Sequence, residues 1–392
     1  MPRKTINVDY LYSELGKVLY LRNEIREMLE LILAAIITKR WDLEPFWLIF
    51  IGGPSSGKSI ILEAVNDTTV TYYLDALTEN ALASGFRDEN YEKNNNNERV
   101  DAGMAHLLHN KTLLMKDLTL LLSNSSIAQT IMNQFRLFYD GTFRKGFGND
   151  NALAIHSRFN FVGACTEVID NLTASSVSLG ERFLYYRLPP WDELEEDSLC
   201  RRALDDTYDF RANKRRWDTL VQTFVNKENT RFVKPTLPDK VQDVLIHLAR
   251  FIVSFRREPM VKGIVSSPTC EAPTRVVKQL FTGAAGVASV NRRQVIGQYE
   301  LDLLSKIALS SMIGPKLDIV KYLFLEAEGC GATQETLVGT LRLSRSAAEK
   351  ILEGMYVMDL VTKSVDGKVY YTLSPKANKL IESAKLEDLL SN

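Results

Sequence analysis

The chain has 392 residues, a formal net charge of -1, 45% hydrophobic and 25% charged residues. That length holds two or three domains of an ordinary soluble globular protein, and the near-neutral charge excludes a global basic field, so any nucleic-acid contact must come from local patches. The four cysteines, Cys165, Cys200, Cys270 and Cys330, are scattered without metal-ligand spacing, which excludes a zinc site or a disulfide scaffold and suits a reducing, cytoplasmic setting.

No signal peptide is read at the start of the chain. Residues 10–39 carry apolar positions at helical spacing, which predicts one long helix or two short ones. The most apolar stretch, 28–37, contains Glu30 and is too short to cross a bilayer, so it reads as the buried face of a helix and no membrane partner is expected. Residues 46–51 form a continuous apolar run of strand length, followed by a glycine-rich turn and a helix. Four more strands are predicted at Thr71–Leu74, Thr112–Met115, 159–164 and 183–188, most of them separated by helical segments. Doubly buried runs in that order predict an α/β fold with a parallel sheet. Residues 87–101, including Asn94 to Asn97, read as a polar loop.

After Pro189-Pro190 the pattern turns helical to about Ser311, with a polar loop over 259–273. Gly314-Pro315 marks a boundary. Helices are predicted over 317–326, Gln334–Leu341 and 344–358, with Ser344 as N-cap, and strands over 360–365 and Lys368–Leu373 around Asp366-Gly367, a hairpin signal. That order is that of a winged helix.

Gly52-Gly53-Pro54-Ser55-Ser56-Gly57-Lys58-Ser59-Ile60 has the Walker A spacing. Its glycines let backbone N–H groups converge on phosphate oxygens, Lys58 is expected to reach the β- and γ-phosphates, and the Ser59 hydroxyl to bind Mg²⁺. The expected ligands are therefore ATP and Mg²⁺. A second acidic group is expected at the end of another strand. Asp117, after Leu113-Leu114-Met115-Lys116, fits as a metal ligand or water-polarising group; it also fits a plain strand-end cap. The usual Asp-Glu pair is absent, since Lys116 precedes Asp117 and Leu118 follows it.

With these motifs the chain resembles the AAA+ ATPases, and within them the minichromosome-maintenance (MCM) helicases and their relatives on phages and mobile elements. The resemblance runs from about Phe46 to Ser311. Lys116-Asp117 stands where that family has Asp-Glu. The segment 138–148, from Phe138 through Arg144-Lys145 to Gly148, resembles the hairpin that carries a pore lysine. Phe161 to Thr166 resembles the sensor 1 strand, with Thr166 in place of the usual Asn. Leu179-Gly180-Glu181-Arg182-Phe183 resembles the arginine-finger segment, and Pro273-Thr274-Arg275 opens a helix resembling that of sensor 2. The resemblance implies Asp117, Thr166, Arg182 and Arg275 as catalytic groups, with Arg182 acting on a neighbouring subunit in a homo-oligomer, expected to be a hexameric ring. The side on which Arg275 acts stays open. It also implies four parts: an N-terminal helical segment (1–44), an ATPase core (45–190), a helical lid (191–313) and a winged-helix domain (314–392).

Arg144 and Lys145, among aromatics and between glycines, are expected to contact single-stranded DNA. Arg345 and Lys350 on the recognition helix, with Lys363 and Lys368 at the wing, are expected to contact duplex. The leading reading is an ATP-driven DNA motor or remodeller, a replicative helicase of MCM type. Two others stay open: an initiator or helicase loader that binds duplex DNA, and a regulatory ATPase that acts on proteins. His106 and His109 share a helical face without a third ligand, which points to a structural role.

Overall fold

The computed structural model describes residues 6–66, 69–79, 81–82, 103–123, 125–146, 152–173, 182–205, 209–228, 232–256, 260–261, 264–265, 272–312, 314–325 and 331–391. Two helices open it, α1 (Val8–Leu15) and α2 (Asn23–Thr38). Next come β1 (Trp47–Ile51), α3 (Lys58–Ala64), β2 (Thr71–Leu74), β3 (Thr112–Met115), α4 (Thr119–Ser123) and α5 (Ser125–Tyr139). The hairpin β4 (Thr142–Gly146) and β5 (Ala152–His156) follows, then β6 (Asn160–Cys165), α6 (Val168–Thr173) and β7 (Leu184–Arg187). Helices α7 (Glu193–Asp205), α8 (Phe210–Glu228) and α9 (Asp239–Phe255) lead to a two-residue pair, β8 (Met260–Val261) and β9 (Ile264–Val265), and then to α10 (Thr274–Val290) and α11 (Gln298–Ser310). The tail is α12 (Lys316–Leu325), β10 (Ala332–Thr333), α13 (Gln334–Leu341), α14 (Arg345–Val357), β11 (Val361–Asp366), β12 (Lys368–Leu373), α15 (Pro375–Ala384) and α16 (Glu387–Ser391).

The fold is α/β. Its central sheet has five strands in the order β2-β3-β6-β1-β7, and every pair in it is parallel. All five are the runs expected to be strands, because a strand covered on both faces must be apolar at every position. Alternate residues of β1 feed two different cores. Leu48 and Phe50 join one with α2, α10 and the helices beyond, while Trp47, Ile49 and Ile51 join the other with Phe135, Phe138 and Tyr139 of α5.

Helix α2 is not merely amphipathic. Every residue from Met28 to Thr38 is buried, because α2 is covered by the sheet on one side and by α10 on the other. The two helices meet through small residues: a Cβ on Gly286 would lie 2.6 Å from the Ala34 Cβ. Glu30 is fully buried within this apolar surround. Its carboxylate accepts from Arg26 Nε at 3.0 Å and from the Tyr299 hydroxyl at 2.7 Å, which is what makes its burial tolerable. Burial still pushes its pKa up.

The tail has the expected helices and hairpin, and three elements more. β10 adds a third strand to the hairpin, giving the order β10-β12-β11, and α15 and α16 follow it. Ser344 caps α14 by accepting from the Ala347 N–H at 3.2 Å. Helix α15 lies against α9, and the buried Lys316 ammonium donates to the Phe255 carbonyl at 3.0 Å. Segments 1–44, 191–313 and 314–392 therefore share one continuous core with one face of the sheet. The polar segments 87–101 and most of 259–273 lie outside the described residues.

Candidate functional site

The glycine-rich loop leaves β1 at the carboxyl edge of the sheet. The Gly52 N–H donates to the Cys165 carbonyl at 3.2 Å, which fastens the loop to β6. Gly57 has φ +82, a conformation that favours glycine, and a Cβ there would stand 3.0 Å from Leu19. The Lys58 ammonium folds into the loop and donates to the carbonyls of Gly52 and Gly53, each at 2.8 Å, and to the Ser56 hydroxyl at 2.7 Å. Carbonyls are weak substitutes for anions. Burial lowers the Lys58 pKa, against which Cys165, Asp117 and Glu167 act in the opposite sense. A cation held this way gains from any phosphate oxygen that replaces the carbonyls. Ser59 and Gly53 are exposed, and a Cβ on Gly53 would touch nothing within 4 Å, so the mouth of the loop is open. Ser59 and Asp117 together are hard oxygen donors, the set that suits Mg²⁺ with several waters.

Asp117 follows β3 at the same edge and is exposed. Its Oδ1 accepts from the Thr119 N–H at 2.7 Å, so it caps the turn into α4. The second carboxylate oxygen points to no partner among the described residues' hydrogen bonds, so capping leaves it available. Thr166 follows β6 beside it: its N–H donates to the Thr119 hydroxyl at 3.3 Å. Thus Lys58, Asp117 and Thr166 converge at the carboxyl edge, with β6 lying between β1 and β3. Lys116 points away into an ion-pair chain, to Asp75 at 2.9 Å and Glu63 at 3.6 Å, and Glu63 is reached in turn by Lys214 of α8 at 3.5 Å. These pairs hold the Lys116 pKa up.

Arg182 and Arg275 lie elsewhere. Arg182 precedes β7, level with the start of β1 in the parallel register. Its guanidinium stands 5.5 Å from the Tyr139 ring centroid, and that of Arg275, at the first turn of α10, stands 5.8 Å from the same ring. Tyr139 packs edge-on against Trp47, the first residue of β1. Both arginines are thus at the amino edge of the sheet, the length of β1 away from the loop, or about 16 Å at 3.3 Å per residue. Arg182 is only 6% exposed and lies 3.7 Å from Asp140, a carboxylate pairing within its own chain. Leu179, Gly180 and Glu181 lie outside the described residues.

Arg144 and Lys145 sit on β4, opposite Ala154 and Leu153 of β5. Phe147 and Gly148 lie outside the described residues. The tail cations are less free than their spacing implied. Arg345 and Lys368 both approach Glu335, at 3.8 and 3.7 Å, and Lys363 pairs with Glu353. Lys350 is exposed on α14. His106 Nδ1 lies 2.6 Å from the Gly103 carbonyl, a local contact, and His109 Nδ1 accepts from the Arg158 N–H at 3.3 Å, a long-range one. Among the described residues no group of three or more His, Cys, Asp or Glu is placed to hold a metal.

One node escaped sequence reasoning. Arg187 ends β7 and is paired with Asp170 of α6 through bonds of 2.9 and 2.5 Å, while also donating to the Ser310 carbonyl at 3.2 Å. Asp170 further accepts from the Gly314 N–H at 3.0 Å. The pair ties the β6 end of the site to α11 and to the start of the tail. An arginine closing an apolar strand was its only signal. No protein-family model matches the chain, and no curated protein matches it. No helix among the described residues is long and apolar enough to cross a membrane.

Proposed function

We propose that the chain is an ATP-hydrolysing AAA+ DNA motor or remodeller, of the type of MCM helicases on phages and mobile elements, with a winged-helix tail. The observation that carries this reading is the division of these polar and charged groups between the two edges of one parallel sheet. Lys58, Asp117 and Thr166 share the carboxyl edge, and Arg182 and Arg275 share the amino edge. An arginine side chain cannot cover the ~16 Å length of β1, so neither can reach its own chain's loop. In an oligomer that apposes the two edges, each site is completed by a neighbour. On this reading Arg275 acts in trans together with Arg182.

The strand order supports the same reading, because an intervening strand separates the loop-bearing strand from the one carrying Asp117. Lys58 would exchange the Gly52 and Gly53 carbonyls for β- and γ-phosphate oxygens. Ser59 and Asp117 would hold Mg²⁺, which supplies charge neutralisation on the phosphates. Thr166 would orient the attacking water from beside Asp117. Arg182 and Arg275 of the adjoining copy would neutralise charge developing on the γ-phosphate. Arg182 must first part from Asp140, which couples assembly to a rearrangement around Tyr139. The β4–β5 hairpin, placed between α5 and β6, is the segment that would carry Arg144 and Lys145 along a strand.

The initiator reading needs a basic tail to grip duplex, and the engagement of Arg345, Lys363 and Lys368 by Glu335 and Glu353 weighs against it. The same pairing favours a tail that contacts protein. The test is ATPase activity of the purified chain without DNA, with single-stranded DNA and with duplex, alongside strand displacement. Stimulation by single strands, lost in Lys58→Ala and reduced in Lys145→Ala, is expected. If DNA neither binds nor stimulates hydrolysis, the motor reading fails and a regulator of protein partners replaces it.

A further inference from the structure

A cleft of about 530 Å³ opens at the amino edge of the sheet, lined by Lys39, Arg40, Asp42, His109, Asn110 and Arg158. Its charge is lopsided. Two arginines, a lysine and a histidine surround one carboxylate, and the Asp42 side chain is 94% exposed, where water screens it. Lys39 and Arg40 follow the carboxyl end of α2, where cations complement a helix dipole, which accounts for those two alone. Arg158 comes from a different element and is aimed into the cleft by bonds to the Asp42 carboxylate and the Leu43 carbonyl, each 2.9 Å. Burial and the neighbouring Arg158 pull the Lys39 pKa down to about 8, and burial and Lys39 lower that of His109. Like charges have been gathered here at a cost that an anion would relieve.

The position of the cleft indicates which anion. Arg158 lies two residues beyond β5, at the foot of the β4–β5 hairpin, where Ser157 N–H donates to the Gly141 carbonyl at 3.1 Å. Lys145 is three residues along β4 from the hairpin's first pair, Thr142 and His156, roughly 10 Å away. We propose that this cleft is a second phosphate site, which holds a backbone phosphate of the same single DNA strand that the hairpin engages. The inference rests on the DNA reading above and adds to it a fixed anchor beside the hairpin. Lys39 and Arg40 supply charge, and the guanidinium of Arg158 supplies planar donors for phosphate oxygens.

The experiment is fluorescence anisotropy of a labelled oligothymidine strand with the full chain over a series of salt concentrations. The variants are Lys39→Gln/Arg40→Gln and the single Arg40→Glu, the latter at an exposed position. Both should bind several-fold more weakly at low salt, and the slope of log K against log salt should shrink by about 0.7, the value for one lost single-strand phosphate contact. Thermal unfolding checks that each variant is folded. If the wild-type chain binds the strand and both variants keep its slope, the cleft proposal is overturned while the DNA reading stands. If the wild-type chain does not bind the strand, both fall together. If inorganic phosphate stabilises the wild-type chain against heat, and the variants lose that stabilisation yet retain the strand's slope, the cleft holds a free anion and the proposal fails.

Discussion

Arg182 and Arg275 stand over one aromatic ring: their guanidinium groups lie 5.5 and 5.8 Å from the centroid of Tyr139. The ring is fixed by Trp47 and by its hydroxyl's bond to the Pro45 carbonyl at 3.3 Å. Two cations from distant parts of the chain are thereby set side by side at the edge of the sheet that faces away from the glycine-rich loop. In the proposed ATPase they form one unit that serves the next subunit's nucleotide.

Asp117 and Lys116 are expected to divide sharply under mutation. Asp117→Asn should lower ATPase kcat by about 10²- to 10⁴-fold, because the Mg²⁺ it would hold supplies several kcal/mol of charge stabilisation in the transition state, with nucleotide binding retained. Lys116 is engaged with Asp75 and Glu63, an exposed set worth at most about 1 kcal/mol, so Lys116→Ala should stay within about fivefold of wild type. Steady-state ATPase and nucleotide titration measure both. A larger effect of Lys116→Ala would place that ammonium on the nucleotide.

The α2–α10 contact predicts a stability effect. Gly286→Ala brings a Cβ to 2.6 Å from that of Ala34 and 2.9 Å from its Cα, so the helices must separate, costing about 1–3 kcal/mol. Gly339→Ala in α13, where a Cβ meets nothing within 4 Å, should stabilise by about 0.5–1 kcal/mol through helix propensity. Chemical denaturation of the two variants should move the midpoint in opposite directions.

Lys39 gives a pH dependence. Its folded pKa of about 8 lies below its ordinary value of 10.5. A depressed folded pKa contributes stability that is present above the unfolded value and lost as pH falls through the folded one. Stability should therefore rise between about pH 8 and 10.5, and Lys39→Gln should flatten that rise. In the proposed DNA complex the sign reverses, because phosphate needs the charged form: strand affinity should fall as pH rises through about 8. The groups facing Lys39 are Arg40, Arg158, His109 and Asp42, and of these only His109 has an ordinary pKa near that range, from which it is lowered. Anisotropy titrations at several pH values test it.

The sheet was legible from sequence because a buried parallel strand announces itself as an unbroken apolar run, as 46–51 does. The glycine-rich loop was legible from spacing, and Ser344 from its place before a helix. The full burial of α2 was not, since its polar relief, Glu30, is satisfied by Tyr299 from far along the chain. β10 is two residues long and exists only through pairing with Tyr370 and Tyr371. The Tyr139 platform and the Lys39–Arg158 cleft likewise depend on long-range contacts, which leave no local pattern in the residues that make them.

The central claim is that one site is built from two copies of the chain. Lys58→Ala and Arg182→Ala are each expected to be inactive in ATPase assays, the first without nucleotide binding and the second with it. Mixing the two in one oligomer pairs an intact Lys58 with an intact Arg182 across an interface. The decisive measurement is the ATPase rate of that mixture. Recovery of a measurable share of the wild-type rate is predicted, and a co-assembled mixture as inactive as its separate components would contradict the shared site.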